Sequence, residues 1–180
     1  HTGLQANYDI NNNWTVSASA VTGSATGGWD GGWNRQLGNW GSVSGITWTS
    51  DDRATSLNVT GTYSEASARS NEAWGMYNIV FQHRINPKTL LVLHHVHGFA
   101  DGVLLNNLKY TNVVKDAKWT GLVMHLYYDL TENLSVGARG EWFRDRDGFR
   151  NPSPFRIAAA TNLVNGVPVS YAGNLSNVTI

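Results

Sequence analysis

Two kinds of connection alternate along this chain, and few folds tolerate that pattern. Compact turn signals rich in Asn, Asp and Pro fall at 9–13, 49–54, 85–88 and 129–133. Between them lie long stretches rich in Gly, Asn and Asp, at 23–36, 65–72, 99–116 and 145–169. The segments that separate these connections alternate apolar and polar residues. A strand tilted across a bilayer needs about 9–11 residues, and a membrane barrel joins its strands by short turns on one side and long loops on the other. A soluble sandwich has the same alternation along each strand, but its loops do not sort into alternating short and long sets. The expected fold is therefore all-β. It is a transmembrane antiparallel up-and-down β-barrel, or an eight- to nine-strand part of one, with short periplasmic turns and long extracellular loops.

Strands are expected over 2–8, 14–22, 37–48, 55–63, 74–83, 89–97, 118–128 and 134–143, with a ninth beginning near 176. Period-two patterning is clearest where Trp14, Val16, Ala18 and Ala20 interleave with Thr15, Ser17 and Ser19. It is equally clear where Leu57, Val59 and Tyr63 interleave with Ser56, Asn58, Thr60 and Thr62. Leu122, Met124 and Leu126 share one parity; Arg139 and Glu141 share the other kind of face, between Ala138, Gly140 and Trp142. Only the first half of 89–97 is apolar on both parities, which leaves its lipid-facing side undetermined. Trp14, Trp48, Trp74, Trp119 and Trp142, with Tyr8, Tyr63 and Tyr128, lie near strand ends, where a barrel carries aromatic girdles.

Composition agrees. Charged residues make up 14% of the chain, against about 25% in ordinary soluble domains, and Asn, Ser, Thr and 19 glycines fill the difference. The net charge is zero, so no basic excess points to nucleic acid. No cysteine is present, which removes disulfides, thiolate metal sites and a cysteine nucleophile. No run of 18 apolar residues occurs, and a barrel needs none. No break in composition divides the chain, so residues 1–180 are expected to form a single barrel domain. Strand-like sequence at both ends suggests a domain incomplete at each.

In a barrel the polar parity lines the interior. Asn58, Asn78, Gln82, Arg139 and Glu141 are the expected pore-lining residues, with Arg144 and Asp145 at the pore mouth. Arg139 and Glu141, two apart, share a face and would set the local field; they could equally form an ion pair that only satisfies a polar interior. The charged run from Arg144 to Arg150 could tune selectivity at the mouth or be a solvated turn. Its Asp145-Arg-Asp-Gly148 matches part of a calcium loop but lacks the remaining ligands. His94-His-Val-His97 is the sharpest metal-like cluster, with His95 and His97 on one face and His83 or His125 as a third candidate; polar lining accounts for it as well. No Gly-x-Ser-x-Gly elbow, phosphate loop or dinucleotide fingerprint occurs. No catalytic residue, metal or cofactor is expected.

The segment Ala138-Arg-Gly-Glu-Trp-Phe-Arg-Asp-Arg-Asp-Gly148 carries a family resemblance. An Arg-x-Glu-aromatic-aromatic strand end running into Asp-x-Asp-Gly resembles the OmpL-like β-barrel porins of Gram-negative outer membranes. His1-Thr-Gly and residues 20–33 are also similar to the middle of such porins. The resemblance implies a bacterial outer-membrane location and passive diffusion of small hydrophilic solutes or ions. It also implies a longer parent chain, with a signal and further strands. Outer-membrane lipid and those solutes are the expected partners, with no nucleic acid; a homo-oligomer is compatible with the architecture. The alternatives are a non-conducting structural or adhesive outer-membrane barrel, or an outer-membrane hydrolase.

Overall fold

A computed structural model describes residues 2–22, 40–67, 70–105, 113–150, 163–164, 167–168 and 173–179. The chain forms β1 (Thr2–Asp9), β2 (Trp14–Thr22), β3 (Trp40–Thr49), β4 (Thr55–Ser67), β5 (Ser70–Asn86), β6 (Thr89–Leu105), β7 (Val113–Thr131) and β8 (Leu134–Asp145). Two short strands, β9 (Leu163–Val164) and β10 (Val167–Pro168), pair with each other, and β11 (Gly173–Thr179) follows. β1 to β8 lie side by side in chain order, every neighbour antiparallel, and β11 adds beside β8 to make a nine-stranded sheet. β1 and β11 are its edges, and among the described residues no ladder joins them into a closed barrel.

The short turns are built by side-chain oxygens that satisfy local N–H groups. Asn11 accepts from the N–H groups of Asn13 and Trp14 at 2.9 and 3.0 Å. Asn86 accepts from Lys88 N–H at 2.9 Å, and Thr131 from Asn133 N–H at 3.3 Å. In the turn after β3, Ser50 donates its hydroxyl to Asp52 at 2.6 Å and holds that carboxyl below its usual range. Neighbouring turns are stitched together: Thr49 N–H donates to Asn13, Arg84 N–H to Ala54 and Asp129 N–H to Lys88, all at 2.8–2.9 Å. All the short turns therefore sit at one end of the sheet.

The opposite end departs from expectation. The stretch 65–72 is not a long connection: β4 and β5 stay paired out to Ser67 and Ser70. Likewise β6 runs to Leu105 and β7 begins at Val113, inside the expected connection 99–116. A bulge between Ala100 and Val103 carries them there, with Gly102 at φ 58° taking the left-handed conformation and its N–H bonded to Asp116 at 3.0 Å. β7 has 19 residues; at about 3.4 Å each and a tilt of about 40° it rises roughly 50 Å, twice the height of a barrel's apolar band. The excess lies at the loop end. Strands above the membrane have water on both sides and need not alternate, so this part of them was invisible to a periodicity argument. The loop 23–36 and the middle of the connection that follows β8 lie outside the described residues.

Register assigns every strand residue to one of two faces. Val16, Ile46, Val59, Ile79, His95, Leu122 and Trp142 are successive cross-strand partners on one face. Leu57, Phe81, Leu93 and Met124 lie beside them. This apolar face is the open one: Leu122 is 51% and Met124 48% exposed. The polar face is the sheltered one along β3 and the loop-side half of β7. A soluble sandwich would bury its apolar face, so the arrangement is inverted, as in a membrane barrel. The sheet is an all-β, up-and-down part of such a barrel. The ambiguous strand is settled by its partners: Leu91, Leu93, His95 and His97 belong to the apolar face, and Leu90, Val92, His94 and Val96 to the sheltered one.

Aromatic side chains flank the apolar face. Tyr8, Trp14, Trp48 and Tyr128 lie toward the short turns, with Trp14 and Trp48 at 6.5 Å between rings. Trp40, Tyr63 and Trp142 lie toward the other end. Trp74 and Trp119 are not girdle residues. Both lie on the sheltered face, 1% and 3% exposed, with ring centroids 6.0 Å apart.

Candidate functional site

The sheltered face carries a polar lining arranged in rungs. One rung runs through Ser56, Gln82, Val92, His125 and Arg139. The next runs through Thr47, Asn58, Val80, His94, Val123 and Glu141, and the one after through Thr60, Asn78, Val96, Gly121 and Phe143. Asn58, Asn78, Gln82, Arg139 and Glu141 thus share one face and three neighbouring rungs. The rung from Asn58 to Glu141 crosses five strands, about 19 Å at a spacing near 4.8 Å.

These groups are bonded to each other as a polar interior requires. Asn58 donates to Thr47 Oγ1 at 2.7 Å and accepts from Thr60 Oγ1 at 2.7 Å. Asn78 Oδ1 and His94 Nε2 are 3.1 Å apart. His125 stacks on Tyr127 at 5.7 Å, its Nδ1 3.1 Å from the phenol oxygen. Arg139 and Glu141 form an ion pair. The valines on these rungs keep the lining from being wholly polar.

Beyond the rungs, at the loop end, the chain after β8 turns back over the same face. Asp145, 0% exposed, accepts from the N–H groups of Phe149 and Arg150 at 3.1 and 2.7 Å. Asp147 receives Lys115 Nζ at 3.1 Å and Lys118 N–H at 3.3 Å. The loop so anchored lays Phe149 on Trp119, centroids 5.7 Å apart, and sets the Arg150 guanidinium 5.4 Å from that ring's centre. Arg150 and Glu141 then line one recess of about 260 Å³ with Val96, Val123 and Phe143. Opposite charges therefore flank this recess on the sheltered face.

Arg144 and Asp145 both lie at the loop end of β8 but on opposite faces: Asp145 is inward and buried, whereas Arg144 pairs with Thr120 on the apolar side. Sequence reasoning placed the run from Arg144 to Arg150 at the mouth without finding its anchor, the buried Trp74 and Trp119. Their signal was parity, since Trp74 has the parity of Asn78 and Gln82. The histidines do not converge: His95 and His97 are on the apolar face against Tyr77, at 5.7 and 5.6 Å, while His94 and His125 are on the other. Among the described residues no group of three or more His, Cys, Asp or Glu side chains could hold a metal ion.

No curated protein and no solved structure matches the chain. A protein-family model described as putative beta-barrel porin-2, OmpL-like, matches residues 1–180. Its match over the full length, together with the inverted nine-stranded sheet, means that the chain belongs to the OmpL-like β-barrel porin family.

Proposed function

We propose that this protein is a bacterial outer-membrane channel through which small hydrophilic solutes or ions diffuse passively along the lining of Asn58, Asn78, Gln82, Arg139 and Glu141. One observation carries the reading: Leu122 and Met124 are open on one side of the sheet while Arg139 and Glu141 pair on the other. Water must be available to the ionic side and lipid to the apolar side. In a bilayer the sheet edges at β1 and β11 must also be paired, because unpaired backbone groups are costly there. Selectivity follows from the field of Arg139, Glu141 and Arg150 and from the width left by the loop over Trp119. The channel has no catalytic step and no cofactor, and its partners are bilayer lipid and the permeating solute.

Swelling of liposomes that contain the full-length protein tests this. Swelling in small sugars, declining with solute size, is the expected result; no swelling after verified insertion would oppose it. The packing of Trp74, Trp119 and Phe149 over the inner face favours one second reading, a non-conducting barrel plugged at that level. That reading predicts insertion without solute flux.

A further inference from the structure

Two histidines stand on the sheltered face beside the ion pair. His94 shares the rung of Asn58 and Glu141, and His125 lies on the neighbouring rung, directly across from Arg139. His94 faces Val123 and His125 faces Val92, so the two are diagonal neighbours on β6 and β7, about 7–8 Å apart. Both are half-buried, and each has a polar partner that suits either charge state. Asn78 Oδ1, 3.1 Å from His94 Nε2, accepts from an N–H there, so a second proton goes to Nδ1. The Tyr127 hydroxyl, 3.1 Å from His125 Nδ1, donates to the neutral nitrogen and accepts from the protonated one. Neither imidazole has to break its hydrogen bond to gain a charge.

The other ionisable groups that face this pair come from each neighbouring strand. On its sheltered parity from Leu90 to Gly98, β6 carries none besides His94. β5 presents Asn78, Val80 and Gln82, with Arg84 at the turn end, where it donates to the Pro87 carbonyl at 3.2 Å. From Gly121 to Asp129, β7 presents Tyr127 and, at the turn end, Asp129, which accepts from Ser135 at 2.6 Å. β8 presents Arg139 and Glu141, which pair with each other. The chain after β8 adds Arg150, on the recess that Val96 and Val123 share with Glu141. Imidazole is the side chain whose ordinary change of charge falls between about pH 5 and 8. Since Arg139 and Glu141 offset each other, a positive charge on each imidazole changes the sign balance of these two rungs. We infer that His94 and His125 make the ion preference of the channel depend on pH, turning it toward anions as the aqueous phase is acidified. The inference rests on the reading that the sheltered face is the wall of a conducting channel. His95 and His97, on the apolar face against Tyr77, have no part in it.

The test uses the full-length protein in a planar bilayer under a potassium chloride gradient, with the reversal potential read at about pH 8 and about pH 5. Acidification is expected to raise the chloride-to-potassium permeability ratio at least about twofold. His94→Gln combined with His125→Gln should remove most of that change, and His95→Gln combined with His97→Gln should keep it. Folding of each variant is read separately from its mobility on unheated gels. If the inner double variant does not fold, the two single variants decide, each losing part of the change; the full change in both overturns the inference. A native reversal potential that ignores pH also overturns it, as does the full change in the folded double variant. Failure of the channel reading looks different: no current at either pH after verified insertion. Current whose ion preference is the same at both values defeats the histidine inference and leaves the channel standing.

Discussion

The Arg150 guanidinium carbon lies 5.4 Å from the centre of the Trp119 ring, on the face of the sheet that also carries the Arg139–Glu141 ion pair. One contact thus ties the chain after β8 to the sheltered face of the sheet and puts a third charge beside Glu141. Replacing Arg150 by Glu should move the reversal potential of the channel toward cations in a salt gradient, and Arg139→Glu should move it the same way. Unchanged reversal potentials in both variants would remove these residues from the conduction path.

The loop is held by Asp145. Its carboxylate serves two backbone N–H groups, and hydrogen bonds to a charged group contribute about 1.5–3 kcal/mol each. Asp145→Asn should release Phe149 from Trp119 at a cost of about that size. Hydrogen exchange at the amides of Phe149 and Arg150 is the direct readout, and it should quicken while exchange in β4 stays unchanged.

Two glycines on β6 and β8 make opposite predictions. A methyl at Gly98 would overlap the indole of Trp119, its cross-strand partner, whereas one at Gly140 meets nothing within 4 Å. Gly98→Ala should cost about 1–3 kcal/mol by overpacking. Gly140→Ala, on the lipid-facing side, should stay within about 0.5 kcal/mol of the parent. Urea unfolding from vesicles compares the two.

Most of the architecture was legible because the bilayer imposes the alternation seen at Trp14 to Ala20 and at Leu57 to Tyr63. It was lost where that demand lapses. At Leu90 to Leu93 both faces are apolar, and only pairing of Leu93 with Met124 and of Val92 with His125 reveals the lipid side. The polar stretch from Glu65 to Glu72 reads as loop, yet it is strand out to Ser67 and again from Ser70, since strands beyond the membrane carry no face requirement. Trp74 and Trp119 were misplaced by proximity to strand ends, although their parity agrees with the sheltered face. The lining residues shared a parity that could be read from the sequence; the fold-back of Phe149 and Arg150 depends on long-range contacts with no local signature.

Neighbouring residues on β7 separate the two faces energetically. Met124→Arg puts a charge on the lipid side and should destabilise the inserted protein by about 2–4 kcal/mol, while His125→Arg, on the aqueous side, should cost little. Equal costs for both would contradict the assigned faces.

The most direct test of the central claim is a cysteine scan along β7 from Gly121 to Tyr127, clean because the chain has no cysteine of its own. With the protein inserted in a bilayer, a water-soluble thiol reagent should modify cysteines at 121, 123, 125 and 127. A membrane-soluble reagent alone should reach those at 122, 124 and 126. Reactivity without this alternation, or aqueous labelling confined to the even positions, would contradict the account.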